Sequence, residues 1–318
     1  MATTSKKFRA NEINSITTNV HETLPVTGSL VVDNNNVKSY SHDRYISVYD
    51  ADPLLASANQ LMDISYCNNF DVVAFPDNQV AKERSVMYNQ FAQVLVGHDT
   101  DGSRKTFQVA SGSSSEEVVG FYAISLPRYM VKDKIDSDSF KFEFSGDSDS
   151  HTVTISGSIN SNSPAGGYYE LQSTSRTGRN SGLLFVEAGV MILSIEALAG
   201  LTVGSVDIFN ELKSNLPTKG EAYDAFRQVF DKLTFKNTVE VNSTIYTCQV
   251  SFGDFNYSNN PTFTDASGSI RNSTDKKTYI TGIGLHGPAG ELLATAKLSQ
   301  PKEKTSAKNY LFNVRLDY

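Results

Sequence analysis

From 245 to 252 the side chains alternate, placing Tyr246, Cys248, Val250 and Phe252 on one face of an extended chain. Only a strand sends successive residues to opposite sides with a period of two, so this pattern excludes a helix here. The segment that follows is punctuated by turn formers, Asn-Asn-Pro at 259–261 and Ser-Gly at 267–268. Further on, Gly287-Pro288-Ala289-Gly290 separates two apolar runs as a hairpin loop does. Residues 244–318 thus read as short strands joined by turn-rich loops.

The same texture recurs upstream. Residues 1–38 are polar with scattered apolar positions ending in Asn34-Asn35-Asn36, and read as an extended arm with a few short strands. A strand is expected at 44–49, closed by Asp50-Ala51-Asp52-Pro53. Over 82–95, Met87, Tyr88, Phe91, Val94 and Leu95 follow helical spacing, and Gly97 sits where a left-handed cap residue is favoured. Residues 98–117 read as a polar connection, and 118–126 as a strand buried on both faces. Phe140, Phe142 and Phe144 oppose Lys141 and Glu143, which predicts a strand with one wet side. Another strand is expected at 152–155, turn-rich tracts at 160–167 and 173–182, and a tight hairpin around Glu187-Ala188-Gly189.

Helical signals cluster next. Ser194 can cap a helix at 195–199, and Ser205 one at 206–213. After a turn at 217–220, a helix over 221–233 would carry Ala222, Phe226, Val229, Phe230 and Leu233 on one face. Strands return from about Val239. The expected fold is mainly β with α elements, β-sandwich-like or built from packed antiparallel sheets, with a small helical insertion. The expected division is an N-terminal arm at 1–38, a β-rich domain with one amphipathic helix at 39–194, the helical insertion at 195–236, and a C-terminal β-rich segment at 237–318 packed on the main domain.

Charge and cysteine content narrow the function classes. A net charge of −7 lacks the basic footprint that a sequence-independent nucleic-acid binder needs. The local basic runs are short: Lys6-Lys7 with Arg9, and Lys302 with Lys304 and Lys308. They read as solvated surface or as arms that dock on an acidic neighbour. Cys67 and Cys248 cannot form a disulfide framework and read as free buried thiols in a protein made in a reducing cytoplasm. No apolar run approaches the length of a membrane span, and the N-terminus lacks a signal core.

Catalytic chemistry finds no foothold. The histidines at 21, 42, 98, 151 and 286 lack a second ligand at metal spacing, and 98–102 lacks the full oxygen set of a calcium loop. There is no G-x-S-x-G elbow, and the glycine-rich stretches near 282–290 precede no helix as a phosphate loop requires. No catalytic, cofactor-binding or metal residue is assigned, and the chain is read as no enzyme. The candidate interface residues are Phe255, Tyr257, Phe263, Lys6, Lys7 and Arg9. The rings serve either the packing of a long loop or contact with another subunit, where Tyr and Phe supply large area.

Several stretches carry a resemblance: NYSNNPTFTD, TYITGIGLHGPAGELLATAKLSQP and a closing VRLDY, with SYSHDRYISVYDADPLLASANQLMDIS, RSVMYNQFAQVLVGHD, GFYAISLPRYMVKDKIDSDSFKFEF and GLLFVEAGVMIL before them. Together they cover roughly half of the chain and resemble structural proteins of contractile-tailed, myovirus-type bacteriophages. The resemblance implies a non-enzymatic virion subunit of the tail or baseplate, made in the host cytoplasm and oligomeric among other virion structural subunits. It brings no active site with it and no cofactor. A head-decoration or neck protein, or a carbohydrate- or receptor-binding module, is the alternative.

Overall fold

The computed structural model describes residues 6–27, 34–41, 44–69, 76–176, 178–214, 219–258, 263, 264, 267, 269 and 277–318. The chain forms two compact units, Asn19–Val239 and Met1–Thr18 with Glu240–Tyr318. These limits differ from the boundaries expected at 38, 194 and 236. The expected turns at 217–218, 259–261 and 268, and His42, lie outside the described residues.

The strands are β1 (Ile13–Thr27), β2 (Val37–Ser39), β3 (Ile46–Tyr49), β4 (Gln60–Asn68), β5 (Gln108–Ser111), β6 (Ser114–Glu117), β7 (Gly120–Ser125), β8 (Lys134–Ser145), β9 (Ser150–Asn160), β10 (Tyr168–Ser173), β11 (Asn180–Phe185), β12 (Val190–Ser194), β13 (Thr202–Val203), β14 (Val206–Asp207), β15 (Phe230–Val250), β16 (Thr278–His286), β17 (Leu292–Lys304) and β18 (Tyr310–Asp317). The α-helices are α1 (Gln79–Leu95), α2 (Arg128–Val131), α3 (Ile208–Ser214) and α4 (Lys219–Val229). The fold is mainly β, with a large antiparallel sheet and a few helices.

In the larger unit the sheet runs β15-β8-β9-β10-β11-β12-β7-β4-β3-β2. Phe226 of α4 lies 4.8 Å, ring to ring, from Tyr122 of β7 and 5.9 Å from Phe144 of β8. Four other strands separate β7 from β8 in the sheet order. The sheet therefore curves around α4, and the helix expected as an insertion is the filling of this unit's core. The Tyr122 hydroxyl donates to the Ala222 carbonyl at 2.6 Å, which satisfies the polar end of a fully buried ring.

The opposite face of the central strands packs against α1. Successive residues of β7 serve the two sides in turn: Tyr122 and Ile124 face the α4 core, while Phe121 and Ala123 join Tyr88, Ala92 and Leu95 of α1. That double duty makes the run from Phe121 to Ile124 continuously apolar, as expected of a strand covered on both faces. Asn78 caps α1, its Oδ1 accepting from Val80 N at 2.9 Å, and Gly97 ends it at φ +78. The buried face is Ala81, Arg84, Tyr88, Ala92 and Leu95, whereas Val94, expected inside, is exposed.

The remaining differences have local causes. The N-terminal stretch contains one long strand, β1, beside β15. Its β-branched Ile, Thr and Val content suits extension although its faces are polar. The polar connection at 98–117 holds a hairpin, β5 with β6, whose Ser and Glu residues conceal the alternation. Ser205 does not cap α3; it sits at φ +69 in the β13–β14 turn, and Asp207 Oδ1 accepts from Asn210 N at 3.0 Å. Helix α4 stops at Val229, and β15 begins with Phe230 rather than near Val239. Phe230 and Leu233 are buried in both readings, so their helical spacing masked the change of period.

Candidate interaction surface

The smaller unit is assembled on the second half of β15. That half pairs antiparallel with β18, from Ser243 opposite Asp317 to Val250 opposite Tyr310. The N-terminal segment follows the same stretch. Lys6 Nζ donates to the Gln249 carbonyl at 3.2 Å, the Phe8 ring lies 5.4 Å from Tyr246, and Thr17 Oγ1 donates to Asn242 Oδ1 at 3.0 Å. Strands β16 and β17 form a two-stranded antiparallel hairpin. Its register shifts between Ile280 and Gly282, where the extra residues of β17 include Pro301, a residue confined to edges and bulges because it cannot donate to a ladder.

This unit buries little apolar surface. Among the described residues its only buried hydrophobic side chains are Val250, Leu285 and Val314. Both large core clusters belong to the other unit. By contrast Phe252, Phe255, Tyr257, Tyr279, Leu292, Leu293, Leu311 and Tyr318 are large and exposed. The expected common face of Tyr246, Cys248, Val250 and Phe252 does not persist, because β15 ends at Val250 and Phe252 is 64% exposed in the loop beyond it.

That loop is ordered by polar contacts instead of by a core. Lys304, at the end of β17, is fully buried, and its Nζ donates to Phe252 O at 3.0 Å, Asn256 Oδ1 at 2.9 Å and Thr305 O at 2.8 Å. Three acceptors match the three N–H bonds of an ammonium group. Asp254 Oδ2 accepts from Ser251 N at 2.9 Å, and Thr278 Oγ1 donates to Phe255 O at 2.6 Å. Phe255 itself adopts φ +52, an uncommon conformation for an aromatic residue, held by these contacts. The loop thus presents Phe252, Phe255 and Tyr257 to solvent on a fixed backbone. Lys304, read from sequence as part of a solvated basic run, is the post that holds it.

The expected interface residues are placed as follows. Phe255 and Tyr257 are exposed neighbours on the Lys304 loop, and Phe263 is half-buried with its ring edge-on to Tyr257 at 5.7 Å. Lys6 reaches Gln249, just before that loop in the chain, and Lys7 and Arg9 are exposed nearby in sequence. The Arg9 amide donates to Glu12 Oε2 at 2.8 Å, fixing a short 3-10 turn before β1. What sequence reasoning missed is Lys304, whose burial no local pattern signals.

Electrostatics tie the ends of the unit together. Asp317 is held below the usual carboxylate range by the Ser243 hydroxyl and then by Arg315, both at 2.6 Å. Glu303 is held low by Lys308 at 2.8 Å and Lys277 at 3.3 Å. Both cysteines are free; burial pushes the Cys67 and Cys248 thiols up. The loop at 98–102 is closed by its own Asp101, whose Oδ1 accepts from Ser103 N at 2.9 Å and Ser103 Oγ at 2.6 Å. No group of three or more His, Cys, Asp or Glu that could hold a metal occurs among the described residues, and none of their helices is long and apolar enough to cross a membrane. No family model, curated protein or solved structure matches this chain.

Proposed function

We propose that this chain is a non-enzymatic structural subunit of a contractile-tailed phage virion, in the tail or baseplate, acting through protein–protein contacts. The carrying observation is the contrast within the smaller unit, which buries only Val250, Leu285 and Val314 while holding Phe252, Phe255 and Tyr257 outward on a braced loop. A β structure with so small a core gains most of its stability from what covers it. The sequence stretches that resemble virion proteins supply the setting, and synthesis in the host cytoplasm follows from it.

The test is immunogold electron microscopy of purified particles with antibody against this chain. Label at the tail tip is the expected result. Label on the head moves the protein to decoration or neck, within the same structural class. Absence from both intact particles and a blot of denatured ones overturns the reading. A carbohydrate- or receptor-binding module is the second reading, favoured by the three exposed rings on one ordered loop. Glycan binding by the purified chain selects it.

A further inference from the structure

The two units carry opposite charge. Residues 1–18 and 240–318 contain eleven Lys and Arg against eight Asp and Glu, a net +3, so residues 19–239 carry −10 of the chain's −7. Within the smaller unit, Glu303 is already engaged by Lys277 and Lys308, and Asp317 by Arg315. The exposed Lys297 and Lys302 of β17, and Lys6 and Lys7, form no ion pair with a carboxylate among the described residues. Lys302 stands opposite Ile280, and Lys297 opposite Gly282, so both lie on the β16–β17 hairpin. On the same hairpin Tyr279, Leu292 and Leu293 are exposed. The hairpin also carries exposed Glu291 at its turn and the lysine-paired Glu303, so its contribution to an acidic protein surface is the pair Lys297 and Lys302 together with the exposed Tyr279, Leu292 and Leu293.

We infer that the occupant is a second copy of this chain: the smaller unit of one copy docks through its β16–β17 hairpin on the acidic Asn19–Val239 unit of the next. The inference rests on the structural-subunit reading and names the partner. Charge decides the mode of pairing. Two smaller units facing each other would juxtapose like charge, as would two larger ones, whereas unlike units attract. The interface is therefore head-to-tail, which leaves one hairpin and one acidic surface unused at the ends of every open assembly and permits a ring or a filament.

Sedimentation velocity on the full chain tests this. The wild type is expected to gain mass with concentration in about 0.1 M salt and to weaken by about tenfold or more in about 1 M salt, where the screening length falls from about 10 Å to about 3 Å. The double substitution Lys297→Glu with Lys302→Glu, at exposed strand positions, is expected to remain monomeric alone. Mixed with wild type it is expected to form a heterodimer, because its acidic unit is intact. Circular dichroism matching the wild type checks its fold, and Lys297→Gln with Lys302→Gln serves as the milder variant.

A wild-type chain that stays monomeric at all concentrations overturns the inference. So does association that salt leaves unchanged, or a charge-reversed chain that self-associates like wild type. Failure of the heterodimer overturns the head-to-tail mode, and with it the inference. These outcomes are independent of the particle labelling: a monomer found in virions keeps the structural reading and removes the homotypic partner, while self-association of a chain absent from virions does the reverse.

Discussion

Lys304 shows how a single side chain can replace a hydrophobic core locally. Its ammonium group meets three oxygens, and removing it leaves those acceptors without their donor. Lys304→Met keeps the length of the chain and donates nothing. The expected cost is about 2–3 kcal/mol in the local opening of residues 251–257, since hydrogen bonds from charged groups contribute about 1.5–3 kcal/mol. Hydrogen exchange at those amides measures it, with amides in β7 unaffected. Asp317 supplies a pH signature. Its carboxyl lies below the ordinary 3.8 when folded, so its contribution is complete above that value and fades as pH falls through the lower folded one. Asp317→Asn is expected to flatten the acid limb of stability below about pH 4, read by exchange in the β15–β18 ladder. Neither role is visible in the sequence: a lysine near two others reads as solvated, and the Ser243 partner of Asp317 lies 74 residues away in the chain.

Elements were legible where one period ran unbroken between clear stops. Helix α1 has its apolar spacing and Gly97, although its start at Gln79, capped by Asn78, precedes the expected 82; the β11–β12 hairpin has Gly189 at φ +67 between two apolar runs. An alanine at 189 would bring its Cβ to 2.6 Å from Val131 Cγ2, besides straining the turn. Gly189→Ala is expected to cost about 1–3 kcal/mol by chemical denaturation. Strand β10 was not anticipated, because its order Tyr-Tyr-Glu-Leu-Gln-Ser buries Leu171 and Ser173 and gives a weak alternation. The α4–β15 junction was misplaced for another reason. Phe226, Val229, Phe230 and Leu233 are all buried, so burial continues while the backbone changes from helix to strand. Phe226→Ala is expected to destabilise the larger unit by about 3–5 kcal/mol, since that ring fills the hollow of the curved sheet. Thermal or denaturant unfolding followed by near-ultraviolet circular dichroism, which reports the packed tyrosines, measures the loss.

At the scale of the whole molecule, apolar burial is distributed unequally between two units of one chain. Amides of Glu240–Tyr318 are expected to exchange faster than those of β4, β7 and β12, because the core clusters lie in Asn19–Val239. Equal protection in the isolated chain would contradict the view that the smaller unit depends on a covering partner. For the candidate surface, the rings and N-terminal cations could be named from sequence as candidates, whereas the support of the ring-bearing loop at Lys304 comes from a strand distant in the chain. One consequence concerns β15. Its first half is laddered to β8 and its second to β18. A pull applied along the strand loads each ladder in shear, so its hydrogen bonds must yield together, not one by one as in peeling. The strand therefore carries load along one continuous backbone from its β8 ladder to its β18 ladder.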